Sequence, residues 1–450
     1  MIDSSRASTS IKLLLSLVVF GCSLYYFGAL EASTLIQHED EKGIFVGNFL
    51  ENEANGDFDG ESITSLCSAK NWTKGLVFNC NAPSGGIGVV RNVHLNCIRF
   101  AMEAGAELII PEIVRRDDKN IAKVVPDPKG AQRGEPPDYF YDRDHLNWAL
   151  STFCPQMKVY WSIDELFDAP VARSIPFRLD DLGLDRVDQT VIAQPENWAS
   201  EFNKYLDFKS NPKTRLYPFM VNVAQTRYVW PTSYDSPAFV RSLGRILRFR
   251  RDVRELGASI FFSLRKRLDE SRGGQGVEGN SDTNSTLGFV GVHLYEQEDF
   301  WDSNIPPYEE QAEHYLQYMV ESRNPFAYLA PGITAEHVTS FTERGREVNI
   351  TVVTKRDLLD PDEIGYLSNL SWDQQSLVDY ELLLRADRMV GSSGSSFPWS
   401  IALRRGTAGG TAGSQAGSSE DSQIRWQDAR SAIMGRADDY NKNMEKATWP

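Results

Sequence analysis

Past residue 70 the apolar positions alternate between two rhythms. The run "GLVF" at 75–78 is short and unbroken and predicts a buried strand. After the stretch "SGGIGVVRN" at 84–92, Ile87, Val90, His94, Ile98 and Ala101 recur at helical spacing, and Gly105 supplies a stop. "ELIIP" at 107–111 predicts the next strand. Strand, glycine loop, helix and strand make a βαβ unit of a parallel sheet. Prolines and glycines crowd 126–137 into a loop, and helical periodicity returns over 237–270.

The same rhythm recurs further on. Strands are predicted within 287–294, 327–330, 348–354 and 388–391. Helices are predicted over 307–322, from a Thr334 cap to about Arg344, over 373–387 with Leu377, Tyr380, Leu383 and Leu384 on one face, and over "SIALRR". The expected architecture is α/β, with two Rossmann-like domains facing a central cleft. Residues 71–270 form the first, 287–405 the second, and the polar, glycine-rich 271–286 a linker. "GTAGGTAGSQAGSSEDS" opens a stretch, 406–450, that reads as a low-complexity, disordered tail.

The amino-terminal pattern is different. Leu13 to Leu30 carries no charge, with Arg6 and Lys12 before it and Glu31, Glu39 and Asp40 after it. Eighteen apolar residues just span a bilayer. The basic flank then stays cytosolic, which gives a type II protein of the endoplasmic reticulum or Golgi with its bulk in the lumen. In that reading 1–12 is a cytosolic tail, 13–30 a signal anchor and 31–70 a stem; a cleaved signal peptide is the alternative.

Cys67, Cys80, Cys97 and Cys154 are an even set, which suits two disulfides in that compartment, with the pairing open. Zinc is disfavoured by the absence of a Cys-x-x-Cys pair. Sequons stand at Asn71, Asn284, Asn349 and Asn369. A formal charge of −15 over 450 residues argues against nucleic acid as a partner.

Three places have the chemistry of a site. Gly85, Gly86 and Gly88 permit a tight turn into a helix whose first N–H groups suit an anion, and Arg91 and Asn92 follow. The alternative is a purely structural turn, since neither a dinucleotide fingerprint nor a Walker loop is present. "GSSGSSF" at 391–397 again joins a strand to a helix, and Ser395 and Ser396 suit a diphosphate or simply a helix cap. His293 ends a strand, where α/β folds place ligands, and Glu296, Glu298 and Asp299 follow it. Asp57-Phe-Asp59, Asp142-Arg-Asp144 and Asp360-Pro-Asp362 have a metal-binding form, but none follows a convincing buried strand. No metal is expected.

Together, "SGGIGVVRNVHLNCIRFAMEAGAELIIP", "FVGVHL" and "WDQQSLVDYELLLRADRMVGSSGSSFPWSIALRR" resemble the GDP-fucose protein O-fucosyltransferase superfamily, in particular its fungal membrane-anchored branch. The resemblance implies a GT-B fold and an inverting, metal-independent transfer of fucose from GDP-fucose, or another nucleotide sugar, to a protein or glycan hydroxyl, without a cofactor. It also implies that Gly85, Gly86, Gly88 and Asn92 lie beside donor and acceptor, that His293 opens the family's H-x-R motif, that Asp379 binds donor, and that Ser395, Ser396 and Phe397 hold the GDP phosphates.

This chain departs from the motif at Tyr295, where the family has arginine. Tyr295 then takes the catalytic position with Arg91 or Lys355 as replacement cation, and Glu298 is the candidate base. Two other readings stand beside this one: a non-catalytic descendant that binds nucleotide sugar or glycan, and an NAD-type redox enzyme, which lacks its glycine fingerprint here.

Overall fold

The computed structural model describes residues 41–52, 54, 58–117, 123–125, 134–166, 174–187, 190–224, 229–271, 288–296, 305–409, 423–436 and 444–450. The expected membrane anchor, most of the linker, and Glu298 lie outside the described residues. Among the described residues no helix is long and apolar enough to cross a membrane. Residues 1–51 separate as a unit of their own, of which 41–51 are helical; residues 52–450 form the other unit.

The first half of that larger unit is built on strand β1 (Leu76–Cys80), helix α1 (Ile87–Ala104), β2 (Glu107–Ile109), β3 (Val159–Tyr160), β4 (Ser174–Phe177), α2 (Trp198–Lys209) and β5 (Phe219–Val223). Its sheet runs β3-β2-β1-β5-β4 with every pair parallel. The apolar run at 75–78 is the centre strand, as its continuous burial requires. Helix α1 stops at Gly105, whose φ of 60° is the left-handed conformation that glycine adopts without a Cβ penalty. Leu76 and Phe78 of the strand and Ile98 and Met102 of the helix share one core. Each such buried side chain contributes about 1.5–3 kcal/mol. Two further helices, α3 (Pro237–Ile246) and α4 (Arg251–Ser271), close this half; Ser236 caps the first through the N–H of Phe239.

The second half follows the same plan. It contains β6 (Val290–Tyr295), α5 (Tyr308–Glu321), β7 (Phe326–Gly332), α6 (Ala335–Glu347), β8 (Thr351–Val353), α7 (Trp372–Leu383), β9 (Arg388–Ser392), α8 (Ser396–Gly409), β10 (Ile424–Gln427), β11 (Ser431–Met434) and α9 (Met444–Ala447). The order is β8-β7-β6-β9-β11-β10, parallel except for β10 against β11. Thr334 caps α6 as expected, accepting from the N–H of His337.

Three expectations need correction. The tail is not uniformly unstructured. Strand β11 pairs in parallel with β9 over Met389–Ser392's partners Ser431, Ala432, Ile433 and Met434, while Trp426 and Trp449 are buried. The proposed boundary at 405 in fact cuts helix α8. Arg405 sits there fully buried, donating to the main-chain oxygens of Leu383 and Arg430 and to the Ser431 hydroxyl. The stem is also shorter than expected, because helix Glu61–Ser68 buries Ile63 and Cys67 in the core. Helix α7 buries Leu377, Tyr380, Leu383 and Leu384 as expected, but not on one face alone. It is buried on all sides, and its polar residues are partnered: Gln374 donates to the Tyr139 carbonyl at 3.0 Å and Glu381 pairs with Arg385 at 2.7 Å.

Both disulfides form in the first half, Cys67 with Cys154 and Cys80 with Cys97. The second joins the end of β1 to the middle of α1, across the glycine loop. Of the sequon asparagines, Asn71, Asn349 and Asn369 are exposed; Asn284 lies outside the described residues.

Candidate functional site

A cleft open to solvent lies between the two halves. Gly86, Ile87 and Arg116 line it from the first half. His293, Tyr295, Gly332, Trp372, Ser376, Asp379, Ser395, Ser396 and Phe397 are among those lining it from the second. The strands explain the placement: parallel strands deliver their carboxyl ends, and the loops after them, to one edge. His293 and Tyr295 are two residues apart on β6 and therefore share a face of the sheet.

Two helices begin at this cleft. Gly86 is the extended residue before α1, and Ser396 is the first residue of α8. Their first turns touch. A Cβ on Gly88 would lie 2.5 Å from the Ser396 carbonyl oxygen, so only glycine allows the two main chains to approach this closely. The positive ends of two helix dipoles are thereby concentrated in one place, a favourable setting for an anion. Within the serine loop, the Ser395 hydroxyl accepts from the Phe397 N–H at 3.4 Å and Gly394 N–H donates to the Ser392 hydroxyl at 3.3 Å.

His293 is buried, and its ring stacks on Phe397 at 4.6 Å and lies parallel to Tyr295 at 5.8 Å. Burial lowers its pKa from 6.5 to about 3, which makes it a neutral imidazole at physiological pH. Its Nδ1 has no hydrogen-bond partner among the described residues. A buried polar atom without a partner costs free energy until a ligand group meets it.

Asp379 also reaches the cleft, but both of its oxygens are engaged. Lys355 Nζ lies 2.5 Å from Oδ2, and the Tyr328 hydroxyl donates to Oδ1 at 2.7 Å. Burial raises the Asp379 pKa above the ordinary carboxylate value, opposed by Lys355 and by the Tyr328 hydrogen bond. The Tyr328 hydroxyl is itself raised well above its ordinary value by burial and by the Asp379 charge.

Of the residues singled out in the sequence, the fold brings Gly86, His293, Tyr295, Asp379, Ser395, Ser396 and Phe397 to the cleft. Gly85 and Gly88 shape the turn beside it. Arg91 and Asn92 are corrections. The Arg91 guanidinium is fully buried and donates to main-chain oxygens of Gly244, Trp449 and Pro450. Asn92 holds the same carboxyl-terminal segment. Residues four apart on a helix share a face and residues one apart do not, so Gly88 and Asn92 line the seam while the cleft takes only the helix start. Lys355 reaches the cleft only through Asp379. Two of the Asp-x-Asp triplets have ordinary structural duties, since Asp142 and Asp360 each cap a helix. Among the described residues no group of His, Cys, Asp or Glu is arranged to hold a metal ion.

Sequence reasoning missed Arg116, Trp372 and Ser376. The signal for Arg116 was present: it follows β2 within a few residues, at the ligand-bearing edge of a parallel sheet. Trp372 and Ser376 open a helix whose burial the sequence pattern disguised.

No family model and no curated protein matches this chain. Solved structures do resemble it. POFUT1 in complex with GDP aligns with a TM-score of 0.43 at 12% identity, over 81% of this chain and 100% of that one. Arabidopsis thaliana FUT1, as a mutant in complex with GDP, aligns at 0.38 and 11%, over 77% and 71%. Fucosyltransferase NodZ from Bradyrhizobium aligns at 0.35 and 14%, over 72% and 90%.

Proposed function

We propose that the cleft binds a nucleotide sugar and that the chain is a GT-B-like glycosyltransferase, moving fucose from GDP-fucose to a protein or glycan hydroxyl with inversion and without a metal or cofactor. The observation that carries this reading is the convergence of two helix N-termini, at Gly86 and Ser396, in the lining of one cleft that also takes in neutral His293, whose Nδ1 has no partner among the described residues. A diphosphate is the ligand that two such termini suit. The three sequence blocks that resemble the O-fucosyltransferase superfamily supply the loops concerned.

In this reading the diphosphate lies at the serine loop, and the Ser395 and Ser396 hydroxyls and the first N–H groups of α8 take up the charge that develops on the leaving group. His293 Nδ1 contributes one neutral hydrogen bond and fixes the donor. Phe397 holds the imidazole in place by stacking. Asp379, clamped by Lys355 and Tyr328, is a rigid acceptor for a ligand N–H or O–H. Glu298 is the proposed base that takes the proton from the acceptor hydroxyl. The transfer breaks the sugar–phosphate bond, forms a sugar–oxygen bond on the opposite face, and releases nucleoside diphosphate and one proton.

A second reading, a binding protein that does not transfer, is favoured by one observation. Asp379 is the carboxylate among the described lining residues, and both its oxygens are already engaged. Titrating GDP, GDP-fucose, UDP-sugars and NAD into the purified chain, with release of free fucose followed in parallel, separates the readings. GDP binding with turnover supports transfer, GDP binding without turnover supports the binding protein, and NAD binding alone sinks both.

We further propose a type II membrane protein of the endoplasmic reticulum or Golgi with residues beyond about 31 in the lumen. The charge-free segment at 13–30, two disulfides and three exposed sequon asparagines support it.

A further inference from the structure

The end of β6 poses a problem of charge. Tyr295 lies there against Gly332, and a phenol brings no positive charge to an anionic ligand. Two other cations, Arg91 and Lys355, are not among the residues that line the cleft. Arg91 holds main-chain oxygens away from the cleft, and the Lys355 ammonium sits between Asp379 at 2.5 Å and the Gln375 carbonyl at 3.2 Å. Among the described residues that line the cleft, one side chain is cationic, Arg116.

Its position is well defined. The segment carrying it is pinned twice by short antiparallel bridges, Ile113 to Glu135 and Arg116 to Val124. Around the first, Ile113 and Glu135 exchange hydrogen bonds of 2.8 and 2.7 Å; around the second, Asp117 N–H donates to Lys123 and Val125 N–H to Arg115, at 3.0 and 2.9 Å. Arg116 is 5% exposed, so its guanidinium is largely withdrawn from water. Burial strengthens what such a group offers an anion, because screening is weak there.

We propose that Arg116 supplies, from the first half, the charge that faces the diphosphate, in place of a cation on β6. The inference rests on the nucleotide-sugar reading of the cleft. A planar guanidinium meets two phosphate oxygens at once, which an ammonium does not. It also places the anion contacts on opposite walls: the α8 terminus comes from the second half and Arg116 from the first.

The test titrates GDP, guanosine and inorganic pyrophosphate into the intact chain and its Arg116→Gln and Arg116→Lys variants, each first shown by thermal melting to be folded. Arg116→Gln is expected to weaken GDP and pyrophosphate by about 30- to 100-fold while leaving guanosine unchanged, with Arg116→Lys intermediate. A merely structural arginine would change all three probes together, or none; either result overturns the proposal. If the natural protein binds pyrophosphate but no nucleotide, and Arg116→Gln loses it, the nucleotide-sugar reading fails while Arg116 stands as the anion residue. A folded natural protein that binds none of the three overturns both.

Discussion

Asn92 and Trp449 are joined as two strand residues would be. The Trp449 N–H donates to Asn92 Oδ1 at 2.9 Å, and Asn92 Nδ2 donates to the Ala447 carbonyl, also at 2.9 Å. One side-chain amide thus reads both a donor and an acceptor of the main chain, 357 residues away in sequence. The segment bound in this way follows the strands of the second half, yet it lies on α1 and α3 of the first. It is a strap across the halves.

Removing residues 444–450 should therefore destabilise the chain strongly. Trp449 is fully buried beside Phe239, and emptying such a site costs about 3–5 kcal/mol. Asn92→Ala alone should cost about 2 kcal/mol, from two hydrogen bonds and the buried groups left behind. Thermal melts of both variants check this. An unchanged midpoint for the truncated chain would show that the strap contributes nothing, as a disordered tail would.

Changing Ser395 and Ser396 together to alanine should weaken GDP binding by about tenfold, since hydroxyl contacts to phosphate are lost while the helix start remains. Tyr295→Arg should recover part of the GDP affinity lost in Arg116→Gln, because it returns a guanidinium to the same cleft from the other wall. Calorimetric titration of GDP reads both. A double variant no better than Arg116→Gln would show that the end of β6 does not face the diphosphate.

The acid limb of stability carries the signature of His293. Its folded pKa, about 3, lies below the ordinary 6.5, so the unfolded chain binds more protons between those values. The stability involved is fully present above about pH 6.5 and is lost as pH falls toward 3. Between pH 6.5 and 5 the loss is about 2 kcal/mol. His94, lowered to about 3 by burial as well, should add a similar slope. His293→Phe should make the fall in melting temperature from pH 6.5 to 5 visibly shallower, leaving the His94 share. A variant with the same slope as the natural chain would mean that His293 is solvated.

Glycosidase treatment of the chain expressed in a eukaryotic host should increase its mobility, and Asn71→Gln, Asn349→Gln and Asn369→Gln should each remove part of that shift. Cytosolic protease access to the bulk, with no shift, would reverse the topology.

What the sequence made legible was local. The apolar run at 75–78, the helical spacing from Ile87 to Ala101 and the stop at Gly105 each act over a few residues, and each element formed where they place it. The glycine and serine loops could be read because a turn between a strand and a helix has local chemistry. Strand β11 could not, since four residues after a polar stretch become a strand only by pairing with β9, about forty positions earlier. Helix α7 misled because its polar residues meet partners from distant segments, Tyr139 and Lys355 among them. Arg91 failed as a cleft cation for the same reason: the acceptors that claim it are Gly244, Trp449 and Pro450, and no spacing along the chain announces them.

The Cys80–Cys97 bond makes the glycine loop part of a closed covalent hoop, with a sequence separation of 17 between its two ends. A hoop of that size has already surrendered much of its freedom before the chain folds, by about 3 kcal/mol in the chain-entropy account. The loop that must hold two helix starts against each other is thus partly organised by a bond that only an oxidising compartment makes. The same sequence left with reduced thiols would have to order its cleft wall from a freer starting point. Where this chain matures therefore bears directly on how well its cleft is shaped.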